Sequence, residues 1–150
     1  MAKLKEALKN KLTKKQLTLT PSSFDIVGDL AIFSEIPKEL KTKEKLIGNT
    51  LLKLNKNIKV VLKKSRKYSG KFRTPKLKII AGEKRKNTEL REHNTRLKLD
   101  PEKTYFSVRL ATERKRIIQQ IKNDEEILVM FSGVGPYPIT IAKNKKPIIK

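Results

Sequence analysis

Apolar residues recur at helical spacing in three parts of the chain. In residues 3–16, leucines fall at every fourth position among lysines, which predicts a short amphipathic helix that packs on the protein or lies on a partner. A second helix is predicted from Pro37 to about Leu54, and a third from Ala111 to Lys122. The side chains expected to face inward from these helices are Leu4, Leu8, Leu12, Leu40, Ile47, Leu51, Leu54, Leu110, Ile117, Ile118 and Ile121.

Strand patterns occupy the intervals between these helices. Gly28-Asp29 predicts a bulge or tight turn inside the first strand, because glycine and aspartate interrupt an otherwise apolar run. Residues 89–99 alternate as a hairpin that turns at His93-Asn94, so His93 is interpreted as a turn residue and not as a catalyst. The other segments with a strand or extended pattern are 24–33, 58–62, 75–82 and 105–110.

A strongly basic segment separates two of the predicted strands. Residues 63–73 interleave Tyr68 and Phe72 with lysines and arginines. This composition suits contacts with phosphates and bases, so a nucleic-acid-binding loop is predicted here. A solvated charged loop is the alternative, and it is the better interpretation for any single lysine.

The most informative segment lies near the C-terminus. Ile127 to Phe131 is a continuous apolar run, typical of a strand buried on both faces. Residues 132–135 then form a glycine turn, and Pro136 suits the first turn of a helix. Strand, glycine turn and helix together begin an α/β nucleotide site. Pro138 replaces the third glycine of the dinucleotide fingerprint, and an ordinary strand-to-helix connection remains an alternative.

These elements predict an α+β N-terminal domain followed by the first βα unit of a Rossmann-like α/β sheet. We expect an amphipathic helix in residues 1–20, an α+β domain of the RNA-binding type in 21–104, and a linking helix with an incomplete Rossmann-like domain in 105–150. The sequence reaches Lys150 where the second strand of that sheet should start, which predicts a truncated sheet.

The charge of the chain points to a polyanionic partner. Lys and Arg number 37 against 15 Asp and Glu, which gives a net charge of +22 spread along the 150 residues. Such a field favours nucleic acid, although a lysine-rich genome would produce a similar composition. With no Cys and a single His, a metal site is not expected. The lack of a membrane-length apolar run and of a signal core predicts a cytoplasmic protein with no membrane partner.

Four blocks in order carry a family resemblance. Ser23–Ile32 opens the first domain, Gly70–Glu83 ends its middle, Tyr105–Arg114 includes Tyr-Phe-Ser and Thr-Glu-Arg, and Met130–Tyr137 holds Ser-Gly-Val-Gly-Pro-Tyr. Together they resemble the tRNA (guanine-37) methyltransferase family. The resemblance implies transfer of a methyl group from S-adenosylmethionine to ring nitrogen 1 of guanine-37 in tRNA.

The resemblance also implies roles for individual residues. Glu113 matches the general base, Arg73 the arginine that hydrogen-bonds the guanine carbonyl, and Tyr105 the aromatic that orders cofactor and base. The positions that match cofactor contacts are Ser107, Arg114, Phe131, Gly133 and Gly135. The purely structural alternatives are a helix-surface ion pair of Glu113 with Arg109 or Arg116, and a core position for Tyr105.

The chain also departs from the family pattern. Val129 stands where Asp is usual and Val108 where Pro is usual. The acidic ribose ligand and an Asn-Pro-Pro-Tyr-like motif would lie beyond Lys150, and an N-terminal RNA-docking domain carried by many members would precede Phe24. The sequence therefore predicts a truncated or split enzyme, inactive alone, with tRNA as partner and, if split, a second chain that completes the domain.

Three other functions remain open at this point. A related family transfers an aminocarboxypropyl group from the same cofactor during wybutosine synthesis. A non-catalytic basic RNA-binding module would explain the charge equally well. A ribosome-associated protein would explain the charge but not the glycine turn.

Overall fold

A four-stranded mixed sheet, ordered β1-β2-β3-β4, lies at the centre of the protein. The structure, a computed structural model, describes residues 2–70, 74–145 and 148–149. β1 and β2 are antiparallel, β2 and β3 are parallel, and β3 and β4 are antiparallel. The strands are β1 (Asp25–Val27), β2 (Leu30–Phe33), β3 (Val60–Ser69) and β4 (Thr74–Gly82).

The sheet is covered on both faces, which explains the continuous apolar run of β2. Side chains alternate across a strand, so Leu30 and Ile32 enter one core while Ala31 and Phe33 enter the other. All four of these residues are buried. Uninterrupted apolar sequence is what a strand between two covered faces requires.

Gly28 and Asp29 form the predicted tight turn between β1 and β2. Gly28 has φ +58°, and a Cβ there would lie 2.3 Å from Thr88 Oγ1. Asp29 accepts hydrogen bonds from Arg85 and, at 2.7 Å, from Thr88 Oγ1. The hydrogen bond from Arg85 is the main cause that holds the pKa of Asp29 below its ordinary value. The turn thus fastens the sheet to the segment that follows β4.

Helices cover one face of the sheet. They are α1 (Ala2–Leu8), α2 (Lys14–Leu19), a 3-10 helix (Lys38–Lys43) and α3 (Glu44–Leu54). Leu4, Leu8 and Leu12 are buried against this face, so the predicted apolar stripe packs on the protein itself. Leu40, Ile47 and Leu51 are buried as predicted.

Two details of the helix predictions were wrong. The single helix predicted over 3–16 is interrupted, because Thr13 caps a second helix through a capping box with Gln16. Leu54 was expected to be buried but is 42% exposed, because it occupies the last position of α3, beyond the core.

A buried carboxylate ties the start of α3 to the sheet. Glu44 is 5% exposed and forms ion pairs with Lys63 on β3 and Lys78 on β4. Burial alone raises the pKa of Glu44, but the hydrogen bonds from the two lysines outweigh it and hold the pKa below its ordinary value. The Glu44 carboxylate therefore connects α3 to both β3 and β4.

The predicted basic loop is largely a strand. β3 extends to Ser69 and pairs with β4 as far as Ser69 and Thr74, with irregular register near its end. Charged residues do not prevent a strand when the backbone groups pair with a neighbour. Residues 71–73 lie outside the described residues, and the predicted site residue Arg73 is among them.

A β-hairpin covers the other face of the sheet. It consists of β5 (Thr88–Glu92) and β6 (Thr95–Leu99). His93 and Asn94 turn with positive φ, 46° and 64°, as predicted for a two-residue hairpin loop. Leu90, Leu97 and Leu99 fill the core beneath it. The partly buried side chains that pack on the same core are Ile79, Phe106, Val108 and Val134.

This second core crosses the predicted domain boundary at 104/105. Phe106 and Val108 lie beyond the boundary, as does Val134 of the glycine turn, yet all three pack on a core built mainly by earlier residues. The linking segment and the glycine turn are thus seated directly on the N-terminal domain.

The C-terminal part contains one βαβ unit. α4 (Ala111–Gln120) follows a 3-10 helix (Val108–Leu110), so residues 105–110 are not a strand. β7 (Glu126–Ile127), α5 (Pro136–Asn144) and β8 (Ile148–Ile149) come next, and β7 and β8 pair in parallel. β8 lies where the sequence pattern predicted the start of the second strand of the Rossmann-like sheet.

Part of the apolar pattern in this region was misjudged. The strand predicted over 127–131 is limited to Glu126–Ile127, and Leu128, Met130 and Phe131 are 71%, 69% and 100% exposed. A strand is buried on both faces only where neighbouring layers exist, and among the described strands only β8 pairs with β7. On α4, Ile118 is buried as predicted, whereas Leu110 at its start is 40% exposed.

Candidate active site

The glycine turn before α5 has the geometry that the sequence predicted. Gly133 and Gly135 have φ +59° and +72°, which favour glycine, and Phe131 also has a positive φ of 54°. The Gly135 N–H donates to the Ser132 carbonyl at 2.8 Å, and Pro136 is the first residue of α5. The chain therefore reverses sharply between β7 and α5.

This turn offers few hydrogen-bond donors to a ligand. Pro136 and Pro138 have no N–H, and the Ile139 N–H donates to the Gly135 carbonyl at 3.0 Å. Only Tyr137 supplies an amide N–H among the first three positions of α5. A helix start of this kind suits a phosphate poorly, because phosphate sites depend on several converging N–H groups.

The turn lies beside Tyr105. A Cβ placed on Gly133 would be 3.6 Å from the Tyr105 carbonyl oxygen and 3.6 Å from Thr104 Cγ2. Tyr105 itself is 52% exposed, so the alternative of a core position for its ring is wrong. The fold thus places the glycine turn close to the backbone of Tyr105, and the family resemblance assigns both to the site.

A pocket of about 260 Å³ opens next to Tyr105, between the sheet and residues 101–109. Tyr105 and Ser107 line it, together with the pair Arg109–Asp25, whose Nη2 and Oδ1 atoms are 2.9 Å apart. Lys64 of β3 is also part of its wall. Its size is suited to a small planar group and is below that of most complete cofactor sites.

Arg114 is buried and holds this segment in place. Its side chain is 2% exposed and forms a two-pronged ion pair with Glu92 of the hairpin, in which Nη2 and Oε2 are 2.7 Å apart. Nη2 also donates to the Ser107 carbonyl at 3.1 Å, and the guanidinium lies 5.0 Å from the centre of the Phe106 ring. These contacts give Arg114 a positioning role; its predicted contact with a cofactor stays a prediction.

Glu113, the next residue back, points to solvent. Its carboxylate accepts two hydrogen bonds from Arg116, at 2.7 and 2.8 Å, and its side chain is 43% exposed. The hydrogen bond from Arg116 holds the pKa of Glu113 below its ordinary value. A carboxylate in this pair is ionised near neutral pH but is a weaker base, so proton abstraction requires Arg116 to move away.

The structure places some of the predicted site residues near one another, and their roles stay predictions. Tyr105 and Ser107 line one pocket, and Gly133 lies near the backbone of Tyr105, with Gly135 in the same turn. Phe131 is fully exposed at the edge of the turn. Glu92 and Asp25 were missed as partners, because they pair with Arg114 and Arg109 across separations of 22 and 84 positions, which no local pattern reveals.

The described residues show neither a metal cluster nor a membrane-spanning helix. Among them, no three His, Cys, Asp or Glu side chains are grouped to hold a metal ion. None of the described helices is both long and apolar enough to cross a membrane.

Comparison with known sequences decides the family. Residues 4–85 match the profile described as the TYW2 N-terminal domain, and residues 88–149 match the TRM5/TYW2 methyltransferase domain. The chain belongs to the TRM5/TYW2 family. The resemblance drawn from the four sequence blocks is confirmed, as is the order of an N-terminal domain followed by methyltransferase sequence.

Individual members of the TRM5/TYW2 family show the same correspondence. The tRNA (guanine(37)-N(1))-methyltransferase Trm5b of Pyrococcus abyssi is 49% identical over 124 residues, which cover 83% of this chain and 37% of the relative. A solved complex of aTrm5 with tRNALeu superimposes with a TM-score of 0.80 at 35% identity, covering 95% of this chain and 42% of that one. Trm5 of Methanocaldococcus jannaschii in complex with adenosine gives a TM-score of 0.72 at 36% identity, with coverages of 95% and 41%.

The coverages define how much of these proteins is represented. The chain spans about two fifths of the length of the TRM5/TYW2 relatives it matches. In those relatives the matched region is part of one longer chain, so the comparisons give no support to completion by a second chain.

Proposed function

We propose that this chain provides the RNA-binding domain and the opening of the cofactor domain of a tRNA guanine-37 N1-methyltransferase. The observation that carries the proposal is that the glycine turn lies close to the backbone of Tyr105, a residue that also lines a pocket, in a chain of the TRM5/TYW2 family. Turnover requires the remaining methyltransferase sequence that the relatives contain.

The donor-poor glycine turn supports S-adenosylmethionine as the cofactor. This cofactor supplies an electrophilic methyl group on a cationic sulfur and carries no phosphate, which fits a turn with two prolines in its first helical positions. In this proposal Gly133 and Gly135 shape the turn against the cofactor, and Ser107 and Phe131 contribute contacts from either side.

The guanine is assigned to the Tyr105 side of the turn. Tyr105 is exposed enough to stack on a base, and the adjoining pocket has the size of a small ring system. Glu113 accepts the proton from guanine N1 as the N1–methyl bond forms, after Arg116 has released its carboxylate. Arg73 is assigned to the guanine carbonyl by the family pattern alone.

The charge of the chain supports tRNA as the partner. With a net charge of +22, neutralisation of phosphates contributes most of the binding free energy, so affinity should fall steeply as salt rises. The solved complex of a relative with tRNALeu has the same fold over the matched region.

A second candidate function is aminocarboxypropyl transfer to a tRNA base. It is favoured by one observation: the profile that matches residues 4–85 is that of the TYW2 N-terminal domain, and the methyltransferase profile is shared by both groups. The two reactions use different carbon groups of the same cofactor, so labelling separates them.

The test uses a fusion that supplies the missing sequence. Residues 1–149 are joined in register to the remaining C-terminal part of the Pyrococcus abyssi relative and incubated with a tRNA transcript. With cofactor labelled in the methyl group, we expect label in a transcript with guanine at position 37 and none in a transcript with adenine there. The intact relative is the positive control, and its C-terminal part alone is the negative control.

Other outcomes have distinct meanings. Transfer of label from the carboxyl group of the cofactor, and not from its methyl group, would establish the aminocarboxypropyl reaction. A fusion that binds tRNA but transfers neither label would favour a non-catalytic RNA-binding module. In an active fusion, Glu113→Ala should remove turnover while tRNA binding stays within about twofold, because the side chain is exposed and its loss costs little structure.

A further inference from the structure

Two arginines face each other on the solvent side of the β5–β6 hairpin. Arg91 and Arg96 are directly paired in the register of the two strands, and both are exposed. Like charges at such a cross-strand position are unfavourable for the hairpin. This unfavourable pair of cations is therefore a candidate binding site for an anion.

Acidic side chains do little to neutralise this pair. Glu89 is the only acid among the four outward residues 89, 91, 96 and 98, and it lies 3.8 Å from Arg96 and 3.9 Å from Lys98. Among the ion pairs of the described residues, Glu89 is paired with Arg96 and Lys98, and none involves the exposed side chain of Arg91. The outward face therefore carries three cations against one carboxylate.

The two arginines also line the same surface pocket. It has a volume of about 380 Å³ and is lined by the residues of the hairpin end, Arg91, Glu92, His93, Asn94, Thr95 and Arg96. Planar guanidinium groups bind phosphate through paired N–H donors, and two of them flanking a recess can hold one phosphate from both sides.

Other contacts supply the stability of the hairpin. Its inner face is apolar, with Leu90, Leu97 and Leu99 in the core. Glu92 is held by Arg114, and the His93 ring Nε2 lies 2.8 Å from the Ala111 carbonyl oxygen. The arginine pair is thus not needed to close the hairpin, and a ligand has to compete only with the exposed ion pair between Arg96 and Glu89.

We propose that Arg91 and Arg96 form a clamp for an RNA backbone phosphate, separate from the pocket at Tyr105. This inference rests on the proposed function, because it takes tRNA as the polyanion. It adds a contact that positions the RNA without reading its bases.

The clamp is rigidly connected to the helix that carries Glu113. Arg91 adjoins Glu92, which is paired with Arg114, and Arg114 adjoins Glu113. His93 contacts the first residue of the same helix, and Asn144 of α5 donates to the His93 carbonyl at 3.2 Å. A phosphate held by the clamp would therefore be fixed in distance from the proposed base, which sets the register of the RNA on the protein.

The experiment compares two charge reversals of equal size. R96E places opposite charges across the hairpin, whereas K56E changes an exposed lysine in the turn between α3 and β3. Binding of the whole chain to a tRNA transcript with guanine at position 37 is measured over a range of salt concentrations. The melting temperature is recorded for each variant.

We expect R96E to weaken tRNA binding about tenfold more than K56E does. The slope of the logarithm of the binding constant against the logarithm of salt concentration should become shallower by about one, as for loss of one phosphate contact. The melting temperature of R96E should change little, because the new opposite-charge pair with Arg91 offsets the lost ion pair with Glu89. R91Q should reduce the slope by a similar amount, and E89Q should strengthen binding.

Two results would overturn the clamp. If wild type binds tRNA but R96E and R91Q match K56E, the arginines are ordinary surface charges and the proposed function is untouched. If wild type fails to bind the transcript even at low salt, both the clamp and the proposed function are wrong.

Discussion

Two neighbouring residues of α4 have opposite surroundings. Arg114 is buried, paired with Glu92 and bonded to the carbonyl of Ser107, whereas Glu113 is exposed and, among the described residues, paired with Arg116 alone. Arg114 belongs to the scaffold that holds the segment around Tyr105. Glu113, the proposed base, lies on the solvent-exposed face. One helix thus carries a buried structural arginine and, next to it, an exposed carboxylate to which we assign the chemistry.

This difference predicts that replacing Arg114 lowers the stability of the protein far more than replacing Arg116. Arg114→Met should destabilise the protein by about 3–5 kcal/mol, because it leaves the Glu92 carboxylate buried without its partner. Arg116→Met should change the free energy of unfolding far less than Arg114→Met does, since its ion pair is exposed to solvent. Urea denaturation of both variants measures the contrast.

A double variant separates charge from volume at the same site. Adding Glu92→Gln to Arg114→Met should recover a large part of the stability, because no buried charge is left unpaired. If the double variant is as unstable as the single one, the loss comes from packing alone and the scaffold role of the ion pair is refuted.

A second prediction concerns the turn that anchors the sheet to the hairpin. Gly28→Ala should lower the free energy of unfolding by about 2–5 kcal/mol, because it combines a positive φ with a Cβ 2.3 Å from Thr88 Oγ1. Gly70 is the matched control: its φ is +76°, but no atom of the described residues lies within 4 Å of an added Cβ. Gly70→Ala should therefore cost only about 1–2 kcal/mol. Equal melting temperatures for the two variants would show that the close contact at Gly28 is unimportant.

A third, smaller effect is expected on acidification. The pKa of Asp29 is lowered in the folded protein by the hydrogen bond from Arg85, while the unfolded carboxyl titrates near 3.8. The carboxylate therefore stabilises the fold above that pH, and its contribution is lost as pH falls through the lower folded pKa. The fall in melting temperature between pH 5 and pH 2 should be shallower in Asp29→Asn than in wild type. Parallel curves would contradict this assignment.

The smallest effect concerns the exposed pair itself. Arg116→Gln should raise the pKa of Glu113 toward its ordinary value, because the hydrogen bond that lowers it is gone. Carboxyl NMR titration of the two proteins measures the shift, with the melting temperature as a control for folding. An unchanged Glu113 titration would mean that the pair does not persist in solution.

Local signals allowed much of this structure to be predicted from sequence. The Gly28-Asp29 turn, the His93-Asn94 hairpin and the glycine turn before Pro136 each depend on backbone preferences of the residues themselves. The family blocks predict one site for Tyr105, Ser107 and Gly133, and the fold places Ser107 and Gly133 near Tyr105. The domain boundaries at 20/21 and 104/105 stay predictions, although the core shared by Leu90 and Val134 crosses the second.

What failed depended on distant partners. The basic segment after Leu62 continues as a strand because β4 pairs with it, and Phe131 is exposed because no layer within the described residues covers it. Arg109 pairs with Asp25 across 84 positions, and Arg114 is buried by a hairpin that precedes it. Burial of a charged side chain and long-range ion pairs are properties of the assembled fold, and a single sequence carries no local trace of them.

The proposed function assigns Tyr105 to the target guanine of tRNA. The most direct test replaces Tyr105 with a photo-crosslinking phenylalanine analogue in this chain, binds a tRNA transcript and maps the crosslinked nucleotide by reverse transcription. We expect crosslinks concentrated at or beside nucleotide 37. Crosslinks concentrated elsewhere in the tRNA, or spread over it as widely as from the same analogue at Lys56, would contradict it.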